Sequence, residues 1–279
     1  MGEVRIAVAS VTLGAGFAGL LYSHLKKLIK PGQSLIEAGI STRSDPEMIL
    51  TRILQLFEGE PRPVALIGVC LRTDPAVVEA LRAVGAPAIL IDEEAEGAST
   101  VGFDSFAGGY IAGEHLAKLG RKHLAIVSGE MQVNGGYNAL QRVKGFQKAL
   151  AEHGLPFSMQ DAIEVVQYTR KDGVTAMSRL IAERRKVDGI FSAAGDATAS
   201  GILATARDHG IKVPDQLAIL GYDDSPMASM TTPPLSTIRQ SPEQLSAEAL
   251  RLATEQRAEC LARPKKVLFP PKLVLRGTA

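Results

Sequence analysis

A glycine-rich segment near the start of the chain is the first feature that suggests chemistry. Gly14, Gly16 and Gly19 follow the apolar run 4–11 in a G-x-G-x-x-G pattern, and Glu37 lies about 20 residues further on. Glycine amides at the start of a helix hold pyrophosphate, and an acid at this distance binds a ribose hydroxyl. The pattern is therefore compatible with a nicotinamide-dependent enzyme, although any strand-to-helix turn in a parallel sheet also favours small residues.

Other catalytic and metal-binding patterns are missing from the sequence. No HExxH motif, G-x-S-x-G nucleophile motif or Walker lysine loop is present. No histidine lies near a cysteine at the spacing of metal ligands. The five histidines of the sequence are His24, His115, His123, His153 and His209. We therefore expect a protein that is not an enzyme and that needs no metal or cofactor.

Composition and charge exclude several classes of protein. The 279 residues include 31 Lys and Arg against 30 Asp and Glu, so the net charge of +1 gives no general attraction to nucleic acid or to an acidic membrane. No stretch approaches the roughly 18 apolar residues of a membrane span. Two cysteines, Cys70 and Cys260, together with the absence of a secretion signal, favour the cytoplasm.

Short apolar segments alternate with segments of helical periodicity along most of the chain. Strands separated by helices of about 10–15 residues predict parallel sheets, and about ten strands would form two doubly wound sheets. Asp74 and Pro75 predict the start of one helix, since they combine an N-cap with proline at the first helical position. The chain ends with a predicted single strand over 267–275.

A series of motifs fills the chain from Leu81 onward. The motifs include VGFDSFAGG at 101–109, EHLAKLGRKHLA at 114–125, RVKGF at 142–146, and GIKVPD, LGYDD and TPPLSTIRQ within 210–240. In content and order they resemble the effector-binding domain of the lac-repressor (LacI/GalR) family of transcription regulators. The family's patterns V-D-N-x-x-G-G, EHLIELGHRRIA and R-x-x-G-F correspond to the first three motifs.

The resemblance implies a periplasmic-binding-protein-like type I fold, with two α/β lobes, three crossover strands and a small molecule held between the lobes. We place residues 1–103 with 240–266 in the N-terminal lobe and 104–239 with 267–279 in the C-terminal lobe. The family's helix-turn-helix head is absent from this sequence. A truncated protein and a natural sensor without that head both remain open. We expect DNA contact only through such a head, and no membrane partner.

The resemblance also implies a homodimer, because relatives dimerise around positions 71–74 and 75–85. The expected effector is a small polar molecule such as a sugar, a sugar derivative or a nucleobase-like compound. Binding would close the lobes and change the affinity for an operator. Two alternative functions stay open. The first is an NAD(P)-dependent Rossmann enzyme that uses the glycine motif, and the second is an exported solute-binding protein.

Three predicted effector contacts are polar groups. Arg142 corresponds to an arginine that reaches a hydroxyl or carboxylate of the ligand, and its fixed donors suit bidentate recognition. Asp223 corresponds to a carboxylate that accepts hydrogen bonds from ligand hydroxyl or ring N–H groups. Gln240 corresponds to a hinge residue that often contacts the ligand.

Four further predicted contacts come from other segments. Phe17 and Tyr168 correspond to aromatic positions that flank the ligand, and a flat aromatic face suits a sugar ring or a base. Asn138 lies on the predicted loop before Arg142 and could supply hydrogen bonds. Asp92 corresponds to an acidic residue at the end of the fourth strand.

The sequence departs from the family pattern at positions expected to set specificity. Gly195 stands where the family usually has asparagine, so one expected ligand contact is missing, and Asp196 is then predicted to be a helix N-cap. Glu93 and Glu94 follow Asp92, where sugar binders often carry arginine. We therefore do not assume a sugar, and we hypothesise that the loop 14–19 binds an anionic group of the ligand.

Overall fold

A computed structural model describes residues 3–10, 16–40, 46–71, 73–131, 137–158 and 161–279. The chain divides into two compact units, each built from two separate segments. Unit 1 is Met1–Gly102 with Ser241–Phe269, and unit 2 is Phe103–Gln240 with Pro270–Ala279. The chain therefore passes from one unit to the other three times.

Twelve strands and ten α-helices alternate along the described residues. The strands are β1 (Val4–Ser10), β2 (Gln33–Gly39), β3 (Leu66–Val69), β4 (Ala88–Ile91), β5 (Ser99–Phe103), β6 (Leu124–Gly129), β7 (Ala162–Val165), β8 (Gly189–Ser192), β9 (Ala218–Asp223), β10 (Ser236–Arg239), β11 (Lys266–Phe269) and β12 (Lys272–Val274). The helices are α1 (Gly16–Leu28), α2 (Pro46–Gln55), α3 (Pro75–Ala83), α4 (Ser105–Lys118), α5 (Tyr137–Glu152), α6 (Arg170–Ala182), α7 (Asp196–Asp208), α8 (Pro226–Met230), α9 (Pro242–Thr254) and α10 (Arg257–Ala262).

Each unit is built around one six-stranded sheet. The strand order is β11-β5-β4-β3-β1-β2 in unit 1 and β12-β10-β9-β8-β6-β7 in unit 2. The first five strands of each unit pair in parallel, whereas β12 pairs antiparallel with β10. In both sheets the order reverses beside the first strand of the unit, as in doubly wound folds. The predicted α/β fold with two doubly wound sheets is confirmed.

The sheet of unit 2 is covered by apolar residues on both faces. In β8, Ile190 packs into one buried cluster and Phe191 into the other, because successive side chains point to opposite faces. On one face, Phe191 stacks on Phe146 with ring centroids 5.6 Å apart, and Tyr222 lies 6.1 Å away. Burial on both faces explains why the central strand β8 is buried along its whole length without alternation between exposed and buried residues.

Helices α4 and α5 approach each other so closely that glycine is required between them. A Cβ atom on Gly109 of α4 would collide with the carbonyl oxygen of Arg142 on α5. A Cβ atom on Gly145 of α5 would collide with the backbone of α4 at Phe106. This contact fixes the height of α5 above the sheet and therefore the position of Arg142.

The end of the chain differs from the sequence-based expectation. The predicted single strand over 267–275 is wrong, because β11 belongs to the sheet of unit 1 and β12 to the sheet of unit 2. Pro270 and Pro271 separate the two strands, since proline has no N–H to donate to a neighbouring strand. Thr278 then ties the C-terminus to unit 2, accepting from Ser236 N at 2.8 Å and donating to the Ile219 carbonyl at 2.7 Å.

Candidate functional site

The carboxyl ends of the parallel strands of unit 2 meet at one edge of the sheet, where several predicted site residues lie. Asp223 is the last residue of β9, and Gln240 directly follows β10. Arg142 reaches this edge from α5 by bonding to the residue after β8. The strand order reverses between β6 and β8, which is where open α/β sheets leave room for a ligand.

Arg142 is held in one orientation by its surroundings. Its side chain is buried, and its Nη1 donates a hydrogen bond of 2.9 Å to the carbonyl oxygen of Ala193. The guanidinium carbon lies 3.8 Å from the ring centroid of Tyr222, a cation–π contact. These two contacts fix both the plane of the guanidinium and its position at the strand ends.

Asp223 and Gln240 form a hydrogen-bonded pair on adjacent strands. Gln240 Nε2 donates to Asp223 Oδ1 at 2.9 Å, and the Gln240 backbone N–H donates to the Asp223 carbonyl at 3.3 Å. The Gln240 side chain is only 1% exposed. Its Oε1 atom has no hydrogen-bond partner among the described residues, so the amide offers an unused acceptor. A buried acceptor without a hydrogen bond lowers the free energy of unfolding.

Burial of its carboxyl group raises the pKa of Asp223, because a charge loses solvation there. The positive charge of Arg142 and the hydrogen bond from Gln240 act in the opposite direction and favour the charged form. Loss of solvation therefore favours the neutral carboxyl group of Asp223, whereas Arg142 and Gln240 favour its ionised form.

Asp196 is the buried acid whose role the sequence did not reveal. The N-cap prediction for it is wrong, because Gly195 is the N-cap of α7 and Asp196 is the first helical residue. The Asp196 carboxylate accepts from the Thr237 hydroxyl at 2.6 Å and from the Ser225 backbone N–H at 2.7 Å. Burial, followed by the nearby charge of Asp223, raises the pKa of Asp196 to about 7. No local pattern could have revealed these partners, which lie 29 and 41 residues away.

Tyr168 and Asn138 also belong to unit 2. Tyr168 is 43% exposed and has a positive φ of 56°, and its hydroxyl lies against the backbone of Gly129 at the end of β6. Asn138 is half-buried on α5, four residues before Arg142 and therefore on the same side of that helix. Both residues thus lie on elements that reach the carboxyl edge of the unit 2 sheet.

Phe17 and Asp92 belong to unit 1. Phe17 is the second residue of α1 and is half-buried. Asp92 directly follows β4 with a positive φ of 63°, and its backbone N–H donates to the Val101 carbonyl at 3.0 Å. Residues 11–15 lie outside the described part of the chain, so the hypothesis of an anion-binding loop at 14–19 stays a prediction.

Asp224 stabilises the backbone beside the site. Its carboxylate accepts from Arg239 Nε at 2.5 Å and from Arg276 Nη2 at 2.6 Å. Arg276 also donates to the carbonyl oxygen of Leu235 at 2.8 Å. Asp224 therefore links β9, β10 and the C-terminal segment, while its neighbour Asp223 faces Gln240.

Among the residues that the structure describes, no group of three or more His, Cys, Asp or Glu side chains could hold a metal ion. The helices described are all too short or too polar to cross a membrane.

The family model for the periplasmic binding protein-like domain matches residues 114–279, which is more than half of the chain. Two solved structures share the fold over almost the whole chain. They are a complex of the transcriptional regulator CelR with cellobiose (TM-score 0.85, 22% identity, 100% of this chain and 86% of that chain) and a lac repressor dimer bound to operator and the anti-inducer ONPF (TM-score 0.82, 23% identity, 99% and 94%).

Curated relatives are transcription regulators. The HTH-type transcriptional regulator DegA of Bacillus subtilis is 34% identical over 173 residues, which are 62% of this chain and 50% of DegA. The HTH-type transcriptional repressor PurR of Haemophilus influenzae is 27% identical over 265 residues, which are 93% of this chain and 76% of PurR. The chain belongs to the family of periplasmic binding protein-like domains, and the predicted resemblance to LacI/GalR effector-binding domains is confirmed.

Proposed function

We propose that this effector-binding domain binds a small polar molecule and, as part of a transcription regulator, makes DNA binding depend on it. Arg142, Asp223 and Gln240 of unit 2 supply the polar contacts, and Phe17 and Asp92 stay predicted contacts. The effector is a sugar, a sugar derivative or a nucleobase-like compound. The protein acts by binding and not by catalysis.

The observation that carries this proposal is the unused acceptor of Gln240. A buried side-chain oxygen without a partner among the described residues is stabilised when a ligand donor reaches it. Arg142 and the carboxylate of Asp223 belong to the same edge of unit 2, so one small molecule that carries both donor groups and acceptor oxygens or ring nitrogens can bond to all three residues. Tyr168 and Asn138 are further candidate contacts from the same unit.

The link to transcription rests on the named relatives. DegA and PurR are described as HTH-type regulators, and this chain spans half of DegA. We propose that DNA is contacted through a helix-turn-helix that is not part of this sequence. We also propose a homodimer formed around 71–74 and α3, in keeping with the dimeric lac repressor that shares the fold. Light scattering at tens of micromolar tests this, and a monomer would argue against it.

A thermal-shift screen followed by calorimetry tests the binding function. The probes are cellobiose, D-ribose, adenine and NAD. A probe at a hundred times its Kd should stabilise the protein by about 2.7 kcal/mol, which is readily measured. Stabilisation by NAD alone would instead support the Rossmann enzyme, and absence of any stabilisation would contradict binding of these chemical classes.

Asp223→Asn shows whether a bound probe occupies the proposed site. Loss of a hydrogen bond to a charged group costs about 1.5–3 kcal/mol, so the Kd should rise about 10- to 100-fold. The control is Asp208→Asn, which makes the same substitution at an exposed residue of α7. Equal affinities for the two variants would place the bound probe elsewhere.

A further inference from the structure

The turn before α7 adopts a backbone conformation that only glycine takes easily. Gly195 has a φ of +95° and a ψ of 170°, a region that L side chains rarely adopt. A Cβ atom at this position would lie 2.9 Å from Oδ2 of Asp223, a shorter distance than Cβ atoms in protein structures show to non-bonded atoms. The Asp223 carboxylate therefore stands where a side chain of residue 195 would begin.

The turn cannot move away to make room for a side chain. Its backbone bonds to Ser192 in both directions, with Gly195 N donating to the Ser192 carbonyl at 3.3 Å and the Ser192 hydroxyl donating to the Gly195 carbonyl at 3.1 Å. The next residue, Asp196, is anchored by Thr237 at 2.6 Å and Ser225 at 2.7 Å. All of these groups are buried or half-buried, so a Cβ atom at 195 would have to displace the carboxylate.

Asp223 is constrained from the opposite side as well. Its Oδ1 accepts from Gln240 Nε2, and its carbonyl oxygen accepts from the Gln240 backbone. This bond uses one of the two N–H donors of Gln240 Nε2 and leaves Gln240 Oε1 and the second carboxylate oxygen of Asp223 as acceptors. An ionised carboxylate is an acceptor only, and so is the amide oxygen of Gln240. When Asp223 is ionised, the effector must therefore present hydrogen-bond donors to these two oxygens.

We propose that Gly195 is a specificity-determining residue, which lets Asp223 occupy the space at position 195 so that the effector must present a hydroxyl or N–H donor there. The site selects effectors that carry a donor and rejects analogues in which the donor is missing or capped. The inference rests on the proposed function and names the chemical class that the site accepts.

Selectivity between paired probes tests the proposal. The pairs are adenine with purine, cellobiose with methyl β-cellobioside, and D-ribose with 2-deoxy-D-ribose, and each pair differs by one donor. Calorimetry at pH 8 gives the ratio of the two Kd values for the wild type, Gly195→Ala and Asp223→Asn. We expect at least a tenfold preference for the donor in one wild-type pair, because a site built for a donor rejects the analogue that lacks it. In both variants the ratio should fall below threefold.

The matched control is Gly210→Ala. Gly210 also has a positive φ, of +70°, but nothing lies within 4 Å of a Cβ atom there. This variant also places alanine at a positive φ but does not touch Asp223, and it should keep the wild-type ratio. If Gly195→Ala does not fold, the ratio in Asp223→Asn tests the donor requirement, and a ratio equal to that of the wild type contradicts the inference.

Three outcomes separate the inference from the function on which it rests. A wild type that binds none of the probes contradicts the proposed function and the inference together. A wild type that binds with a donor preference that both variants retain contradicts only the inference. Loss of the preference in Gly195→Ala and Asp223→Asn, but not in Gly210→Ala, supports both.

Discussion

Replacing Asp196 by asparagine should remove a large pH dependence from the stability of the protein. Asp196 is 1% exposed, and burial together with the charge of Asp223 raises its pKa from 3.8 to about 7. Asparagine has nearly the same shape. Its oxygen can accept from the Ser225 N–H, while its NH2 donates to the Thr237 hydroxyl, which can rotate to accept. The substitution thus removes the titration while keeping both contacts.

The direction and size of the effect follow from the pKa of Asp196. Because its pKa is higher in the folded protein than in the unfolded chain, the folded protein holds an extra proton between about pH 4 and pH 7. The contribution to stability is therefore present at low pH and is lost as the pH rises through 7. Each pKa unit corresponds to about 1.36 kcal/mol, so between pH 5 and pH 8 the free energy of unfolding should fall by roughly 3 kcal/mol.

Urea unfolding at pH 5, 6, 7 and 8, followed by far-UV circular dichroism, measures this dependence, since the sequence contains no tryptophan. Asp196→Asn should become more stable relative to the wild type as the pH rises. Asp208→Asn is the control, because it makes the same change at the exposed end of α7. Parallel pH profiles for the wild type and Asp196→Asn would refute the reasoning.

Two further predictions concern the packing of unit 2. Thr278→Val should lower the free energy of unfolding by about 2–4 kcal/mol in urea titrations, because it leaves the Ser236 N–H and the Ile219 carbonyl without their partner, whereas Thr278→Ser should restore most of the loss. Gly145→Ala should cost about 1–3 kcal/mol by calorimetry, since its Cβ collides with α4. Gly154→Ala, where a Cβ meets nothing within 4 Å, should cost less. Equal losses for Gly145→Ala and Gly154→Ala would contradict the close helix contact.

Local signals were sufficient to predict many of the elements. Asp74 and Pro75 predict a helix start, and the Asp74 side chain accepts from the Ala76 N–H at 2.8 Å at the beginning of α3. The apolar segment that ends in Asp223 predicts a buried strand with a carboxylate at its mouth, as found in β9. These signals work because capping and burial of a central strand depend on residues that are close in sequence.

The end of the chain shows where such signals fail. The pattern over 267–275 predicts one strand, but the segment joins two different sheets on either side of Pro270 and Pro271. Apolar and extended residues are equally compatible with either sheet. Which sheet accepts each half depends on the free edges beside β5 and β10, and those edges exist only after the sheets have formed.

The order of apolar segments, turns and motifs in the sequence determined the α/β fold and the LacI/GalR-type domain, because these follow from periodicity and from short ordered patterns. The tertiary structure alone decided how the polar groups pair. Asp196 meets Thr237 from 41 positions away, and Gly195 leaves its space to Asp223. Hydrogen bonds and steric contacts of this kind act over a few ångströms in space. A sequence pattern therefore cannot predict them, because the residues meet only when the strand ends of unit 2 come together at one edge of the sheet.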